Sequence, residues 1–371
     1  MEYDDDTSDD DYTPYTPAKQ LIDKAVKSMP EFELREMLSL YKSEPLKDLA
    51  RTYKMQKYGS AKKIEMINFL CNRLANHEFV ESVLLHTNDK EFAFFENAAI
   101  DGGIELSVSE AAEKPYGLFK HLYFIEIYYT FKNIIFVVPD VIREIYSNLK
   151  NTPFPTTRKR YSMIHSFATS FASLYGVVDF DYFTGLCNER LQTEMDNTEL
   201  SNILIGFTLM RNPCYCLYGD LLIHSKIDEH TIETDIDEYI VESSNDEVDR
   251  IESARGELSM KQLPLEEVLM YSSPGHFEHT PAHDRLIRFL EENNSDYTQY
   301  PDVLQYDLGR LNEAFMRNDD IVFKLKGIDL IMYEPDSETI KIYSELMRDV
   351  ERHTRKWSRN GWMLAEIESP L

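Results

Sequence analysis

Three histidines in one short segment have the spacing of metal ligands. The candidate ligands are His276, His279, His283 and the adjacent Asp284. Imidazole nitrogens and carboxylate oxygens bind zinc and other divalent ions, so this segment predicts a metal site. It also contains Pro274, Gly275 and Pro281, which favour a loop with no regular face to fix ligand geometry. A polar loop without metal is therefore the alternative.

Two closely spaced cysteines form the second candidate site. Cys214 and Cys216 are separated by one residue, which is too close for the usual Cys-x2-Cys zinc hairpin. Alternate residues of a strand face the same side of a sheet, so we expect two small apolar side chains on a core face. A redox pair, or a site that His224 completes, is the alternative.

The sequence contains none of the common catalytic signatures. There is no Walker loop, Rossmann glycine pattern, Gly-x-Ser-x-Gly elbow or His-Glu-x-x-His helix. Only 13 glycines in 371 residues leave little room for phosphate-binding loops. We expect no catalytic residues, and no cofactor other than a divalent metal at residues 276–284.

One segment of an acidic chain is basic. Between Lys42 and Arg73 there are eight Lys and Arg and three Asp and Glu, a local charge of +5. The whole chain has 39 Lys and Arg against 66 Asp and Glu, a net charge of −27. That charge argues against a protein that coats nucleic acid with its whole surface, but it permits one small basic module. The residues predicted to contact nucleic acid are Lys47, Arg51, Lys54, Lys57, Tyr58, Lys62 and Lys63.

Two apolar stripes predict a pair of helices in this basic segment. The first stripe comprises Leu46, Leu49 and Ala50, and the second comprises Ile64, Ile67, Phe69 and Leu70. Tyr58-Gly59-Ser60 breaks the chain between them, and Ser60 is predicted to cap the second helix. Lys62 and Lys63 would lie on its exposed first turn, where positive charge opposes the helix dipole. A basic pair at such a position indicates a use other than folding.

Residues 46–74, LKDLARTYKMQKYGSAKKIEMINFLCNRL, resemble a known helical module. The segment is similar to the helix–turn–helix of SAP domains and of the N-terminal domain of transcription terminator Rho. The matching residues are Leu46, Leu49, Ala50, Tyr58, Gly59, Ser60, Lys62, Lys63, Glu65, Ile67 and Leu70. The resemblance implies a helical hairpin that faces nucleic acid or chromatin. A hairpin that only packs on its neighbours is the alternative.

Two further segments are similar to proteins of Firmicutes, some of which carry a SEC-C metal motif. One is the C-terminal VERHTRKWSRNGWMLAEI, and the other is SLYGVVDFDYF at residues 173–183. The matching C-terminal residues are Thr354, Arg355, Trp357, Asn360, Gly361, Trp362 and Glu366. The SEC-C cysteine cluster does not occur in this chain, so the resemblance implies no metal role.

Composition and hydrophobic pattern predict several modules. Residues 78–150 and 161–240 each consist of helices followed by a β-hairpin, the outline of a winged helix. In the first, the helix around 107–113 is acidic, so we expect protein contact rather than DNA contact. Residues 151–160 are predicted to be a basic linker. The remaining segments are an acidic disordered tail at 1–17, the basic helical module at 18–77, an acidic linker or solvated helix at 241–263, and a helical C-terminal domain at 264–371.

These observations predict a mainly α protein with small β-hairpins, an α+β fold. A SAP-like or Rho-N-like hairpin is followed by winged-helix-like units and a helical C-terminal region. The acidic start lacks an apolar signal region and the longest apolar run is near Ile134–Val138, so we expect a cytoplasmic protein with reduced thiols and no membrane partner.

Three functions fit this sequence. The favoured one is a non-enzymatic regulatory protein that binds DNA or RNA through the basic segment at residues 42–73. The second is an acidic interaction scaffold whose partner is a basic protein. The third is a metal-dependent enzyme that uses residues 276–284.

Overall fold

A computed structural model describes residues 17–210, 213–228, 246–317 and 336–368. Most of the predicted acidic tail therefore lies outside the described residues, as does the start of the predicted linker at 241–263. The chain forms two units that divide between Ser162 and Met163. Each unit is mainly helical and has one small three-stranded antiparallel sheet, which confirms the predicted mainly α class with minor β structure. No helix in the described part is long and apolar enough to cross a membrane.

The first unit places helices around one small sheet. Its helices are α1 (Pro17–Lys24), α2 (Leu34–Ser39), α3 (Ser43–Thr52), α4 (Lys63–Leu74), α5 (His77–Leu85), α6 (Asp89–Asp101), α7 (Val108–Ala112), α8 (Gly117–His121) and α9 (Asp140–Leu149). Its strands are β1 (Ile104–Ser107), β2 (Glu126–Thr130) and β3 (Asn133–Val137), in the order β1-β3-β2. Val26 bridges to Tyr128 and so extends the sheet beyond β2.

The second unit contains the other sheet and the C-terminal helices. Helix α10 (Phe154–Tyr175) contains the boundary between the units. The further helices are α11 (Phe180–Leu191), α12 (Asn197–Met210), α13 (Asp246–Arg255), α14 (Leu265–Met270), α15 (Pro281–Asn293), α16 (Ser295–Gln299), α17 (Pro301–Met316), α18 (Ser337–Arg352) and α19 (Leu364–Glu368). The strands are β4 (Val177–Asp179), β5 (Tyr215–Tyr218) and β6 (Leu221–His224), in the order β4-β6-β5.

The same order of elements occurs twice along the chain. It runs helix, strand, helix, helix, strand, strand, first from α6 to β3 and again from α10 to β6. In both sheets the short first strand pairs with the third, and the last two strands form a hairpin with a two-residue loop. Both predicted hairpins are confirmed. The first strand of either sheet is not predictable from the sequence, because three or four residues are too few to show an alternating pattern.

The predicted linker at residues 151–160 is wrong. Helix α10 begins at Phe154, and two prolines accompany its first turn, where a missing backbone N–H is tolerated. Arg158 is buried, its guanidinium lies 2.9 Å from an Asp89 carboxylate oxygen, and it stacks 4.1 Å above the Phe92 ring. Of the three consecutive basic residues at 158–160, Arg158 therefore contributes a cation to the interior of the first unit.

Residues 173–183 pack against the C-terminal segment in the second unit. The indole Nε1 of Trp357 donates to the carbonyl of Ser173 at 2.8 Å, and its ring is 2% exposed. Gly176 has φ +76°, and a Cβ there would lie 2.6 Å from Cγ of Trp357. The indole therefore requires glycine at this turn, both for space and for backbone conformation.

Helix α13 lies within the predicted acidic linker and contacts the same region of the second unit, around Tyr175 and Trp357. Val248 and Ile251 of α13 are buried. At its end, the Arg255 guanidinium donates to the carbonyls of Tyr175, Val177 and Trp357. Burial lowers the pKa of Arg255 to about 10. One guanidinium thus connects three segments that are far apart in sequence.

We predict that Gly176→Ala destabilises the second unit by more than about 3 kcal/mol, because the new methyl group overlaps the indole and the positive φ disfavours alanine. Both tryptophans of the chain lie in this unit, so urea unfolding followed by tryptophan fluorescence measures it selectively. Gly185→Ala is the control, since Gly185 lies in α11 with nothing within 4 Å of a new Cβ. It should stabilise the unit by roughly 0.5–1 kcal/mol. Equal stability of the two variants would contradict this account.

A second prediction concerns His224, whose ring is buried beside Trp357. Burial lowers its pKa to about 4, opposed by Glu313 and assisted by Lys226 and Arg317. As the pH falls from about 6.5 to 4, the unfolded chain binds a proton at this histidine before the folded chain does. The free energy of unfolding therefore falls by about 3 kcal/mol over that range. His224→Asn should flatten the dependence of the unfolding free energy on pH between 7.5 and 4.5. Parallel pH profiles for variant and wild type would exclude this role.

Candidate nucleic-acid interface

The predicted nucleic-acid residues converge on the connection between α3 and α4. We define the basic turn as Lys54, Lys57, Tyr58 and Lys62. Lys54 and Lys57 have φ of 56° and 57°, Tyr58 begins a single 3-10 turn, and Lys62 directly precedes α4. All three lysines are exposed, and Tyr58 is partly exposed.

Apolar contacts between the two helices fix the ends of this turn. The buried residues are Leu46, Leu49 and Ala50 of α3 and Met66, Ile67, Leu70 and Leu74 of α4. The prediction for α3 is confirmed. For α4 it is wrong at Ile64, which is 54% exposed, because the buried face passes through Met66 and Leu74 instead.

The start of α4 also differs from the prediction. Ser60 does not cap the helix, because it belongs to the 3-10 turn and its hydroxyl donates to the Lys57 carbonyl at 3.2 Å. Lys62 occupies the N-cap position, and the Glu65 carboxylate accepts from its backbone N–H at 2.8 Å. A carboxylate in the first turn partly offsets the unfavourable effect of the two lysines on the helix dipole.

The seven predicted contact residues divide into two groups. Three of them interact within the protein. Lys47 pairs with Glu44 at 2.7 Å, Arg51 pairs with Asp48 at 3.1 Å, and Lys63 donates to the Ser39 carbonyl at 2.8 Å. Within the described ranges, Lys54, Lys57 and Lys62 make no ion pair. Of the seven predicted contact residues, those in the basic turn therefore include the cations that are free to bind an anion.

The conformation of the turn is unusual for lysine. A non-glycine residue in the left-handed region is disfavoured by about 1–2 kcal/mol, and glycine or asparagine is the common choice there. Lys54 and Lys57 both adopt it. Their side chains therefore lie on a turn that glycine would form more easily.

The turn is attached to the rest of the first unit through buried polar contacts. Tyr53, adjacent to Lys54, donates its hydroxyl to the Leu122 carbonyl at 2.8 Å. Nearby, Glu126 is 2% exposed and accepts from the Tyr41 hydroxyl at 2.5 Å and from the Lys120 ammonium. Lys120 also donates to the Tyr41 hydroxyl at 2.7 Å. Burial, followed by the Glu126 charge, raises the pKa of Tyr41 well above its usual value, so this tyrosine stays protonated.

Charge is distributed unevenly between the units. Residues 17–162 have 21 Lys and Arg against 19 Asp and Glu, whereas residues 163–371 have 18 against 40. The first sixteen residues add seven acids and no base. The net charge of −27 therefore comes from the start of the chain and from its second half, and the body of the first unit is close to neutral. A basic turn on such a body meets little long-range repulsion of phosphate.

The predicted metal ligands do not converge. The buried His283 ring has both nitrogens in hydrogen bonds, Nδ1 with the Thr280 hydroxyl at 2.8 Å and Nε2 with the Asn312 amide oxygen at 3.0 Å. His276 lies edge-on to the Tyr271 ring. Among the described residues, no group of three His, Cys, Asp or Glu side chains could hold a metal ion. In this structure Pro281 begins α15 and His283 lies in its first turn, not in a loop as predicted.

The cysteines of the predicted pair are free thiols. Cys214 is partly buried, and its Sγ lies 3.7 Å from both the Thr169 carbonyl and the Ser173 hydroxyl. Burial raises its pKa. The thiol therefore stays protonated. The predicted core face is not formed by the cysteines, because both are only partly buried and the fully buried residue is Tyr215 between them.

Comparison of the chain with family models, with curated proteins and with solved structures gave no match.

We predict that Lys120→Met destabilises the first unit by about 3–5 kcal/mol, because it leaves the buried Glu126 carboxylate without a cation. Adding Glu126→Gln should restore most of the loss, because the buried charge is then also removed. Hydrogen exchange across residues 117–130 and thermal unfolding by circular dichroism measure both effects. Wild-type protection in the single variant, or no recovery in the double variant, would contradict the role given to this ion pair.

Proposed function

We propose that the protein binds nucleic acid through the basic turn of its first unit. The strongest support comes from Lys54 and Lys57, which make no ion pair within the described ranges and both have a left-handed backbone conformation that is unfavourable for lysine. Strain of this kind persists where the residue serves a purpose other than folding. Lys54, Lys57 and Lys62 would neutralise phosphates, and Tyr58 would stack on a base. The resemblance to SAP and Rho-N modules over residues 46–74 agrees with this assignment.

The two repeats, α6 to β3 and α10 to β6, are proposed to be winged-helix-like modules in which the helix before the hairpin contacts protein rather than nucleic acid. Their order of elements and their sheet order fit that fold. In the first repeat, the helix before the hairpin, α8, has its lysine engaged in the contact with Glu126. In the second, α12 contains no Lys or Arg and exposes Ile205 and Leu209. Neither helix presents a free cation to phosphate.

A protein-binding role for the second unit has its own support. Residues 163–371 carry 40 acids against 18 bases, and such a surface attracts a basic partner. Isolation of one stoichiometric basic protein from nuclease-treated extract would support this second function. It is independent of the basic turn, so Lys54 and Lys57 variants should retain that partner.

We predict that Lys54→Gly with Lys57→Gly makes the protein more stable and a weaker nucleic-acid ligand. Each glycine relieves a left-handed lysine, which should stabilise the first unit by up to about 1 kcal/mol per site. Loss of two phosphate contacts should weaken binding about tenfold near 0.1 M salt and reduce the slope of log K against log salt by roughly 1.4–1.8. Fluorescence anisotropy with labelled DNA and RNA across a salt series measures both quantities.

The control is Lys47→Gln with Arg51→Gln, which removes the same net charge from residues that already pair with Glu44 and Asp48. It should weaken binding much less and leave the salt slope nearly unchanged. Equal losses in the two double variants would mean that net charge, not the basic turn, determines binding. Wild-type binding in Lys54→Gly, Lys57→Gly would remove the turn from the interface.

A further inference from the structure

The tip of the β2–β3 hairpin presents an exposed aromatic ring. Phe131 is 88% exposed, the highest value among the large apolar side chains of the described residues. Phe131 and Lys132 form the two-residue loop, with φ of 48° and 75°. A two-residue hairpin loop with both φ positive strongly favours Asn-Gly or Asp-Gly. The conformation of the turn therefore favours neither Phe131 nor Lys132.

The second repeat provides an internal comparison. Its hairpin, between β5 and β6, has the loop Gly219-Asp220, and Gly219 has φ 55°. A hairpin of the same topology is thus formed in this chain with ordinary turn residues. The aromatic ring and the ammonium at 131–132 are not needed to close the first hairpin.

The tip is firmly held. Thr130 pairs with Asn133 across the loop, and Asn133 also pairs with Ser107 of β1. The Asn133 amide donates to a Glu105 carboxylate oxygen at 2.7 Å. All three strands therefore fix the base of the loop, so little conformational freedom of the backbone is lost when Phe131 binds a ligand.

The residues beside Phe131 along the hairpin indicate its ligand. Thr130, Lys132 and Asn133 are polar, so the tip carries one ring and no apolar run of the kind that forms the centre of a protein interface. A nucleobase needs only one ring face, and an adjacent ammonium suits the phosphate. We propose that Phe131 stacks on an unpaired nucleobase while Lys132 contacts the phosphate backbone, a second contact that rests on the nucleic-acid binding proposed above.

The test uses the full-length protein and a labelled single strand of about 20 nucleotides, with a blunt duplex as the second arm. Phe131→Asn removes the ring and suits the left-handed turn, so the fold should be at least as stable. It should weaken single-strand binding about tenfold and leave the salt slope unchanged, because no phosphate contact is lost. Phe131→Trp should retain affinity, and its fluorescence should be quenched on binding.

Tyr306→Asn is the matched control, since Tyr306 is an exposed aromatic residue of the second unit, at 66%. Its binding should equal that of wild type. If Phe131→Asn binds as wild type while Lys54→Gly, Lys57→Gly is weakened, the stacking site is excluded and the basic turn remains. If Phe131→Asn loses affinity for the duplex only, stacking on an unpaired base is excluded and the ring inserts between base pairs instead. If wild type binds neither probe, both proposals are overturned.

Discussion

Buried charges must be paired, and in both units this requirement joins segments that are far apart in sequence. In the first unit, Glu126 accepts from Tyr41 and Lys120, which connects the N-terminal helices to the sheet. In the second, the Arg255 guanidinium binds three main-chain carbonyls around Trp357. Each contact contributes more to stability than a surface ion pair does. Removal of one partner leaves the other in the interior without its hydrogen bonds.

The same requirement determines which cations remain available to a ligand. Lys120 and Arg158 are engaged with Glu126 and Asp89, although in sequence they look like ordinary basic residues. Pairing therefore removes cations from the helix that precedes the hairpin and from the start of α10. The lysines of the basic turn lie at the connection between α3 and α4 and make no ion pair within the described ranges, although the Glu65 carboxylate accepts from the Lys62 backbone N–H. Among the seven predicted contact residues, the structure thus leaves the unpaired cations at the basic turn.

Local patterns predict much of this fold, and long-range pairing accounts for what they miss. The stripe of α3, both hairpins and the C-terminal helices follow from residue spacing alone. The partner of Arg158 is 69 positions earlier in the chain, and no local pattern indicates it, so the sequence predicts a linker where the structure has a buried cation. The same holds for His283, whose ring nitrogens bind Thr280 and Asn312 rather than a metal. Residue type identified the candidate cations, but only the contacts show which of them are free.

Backbone strain divides the non-glycine residues with positive φ in the first unit into one that packing explains and four that it does not. Of the seven non-glycine residues with positive φ in the described part, five lie in the first unit. Tyr123 is one of them, and its ring packs edge-on against Tyr41, so packing explains its conformation. Lys54, Lys57, Phe131 and Lys132 have no such internal contact within the described ranges. The second unit has glycine in this conformation at Gly176 and Gly219, and non-glycine residues at Gln192 and Asn360. Because no internal contact among the described residues accounts for the large exposed side chains at these four positions, both proposed nucleic-acid contacts rest on them.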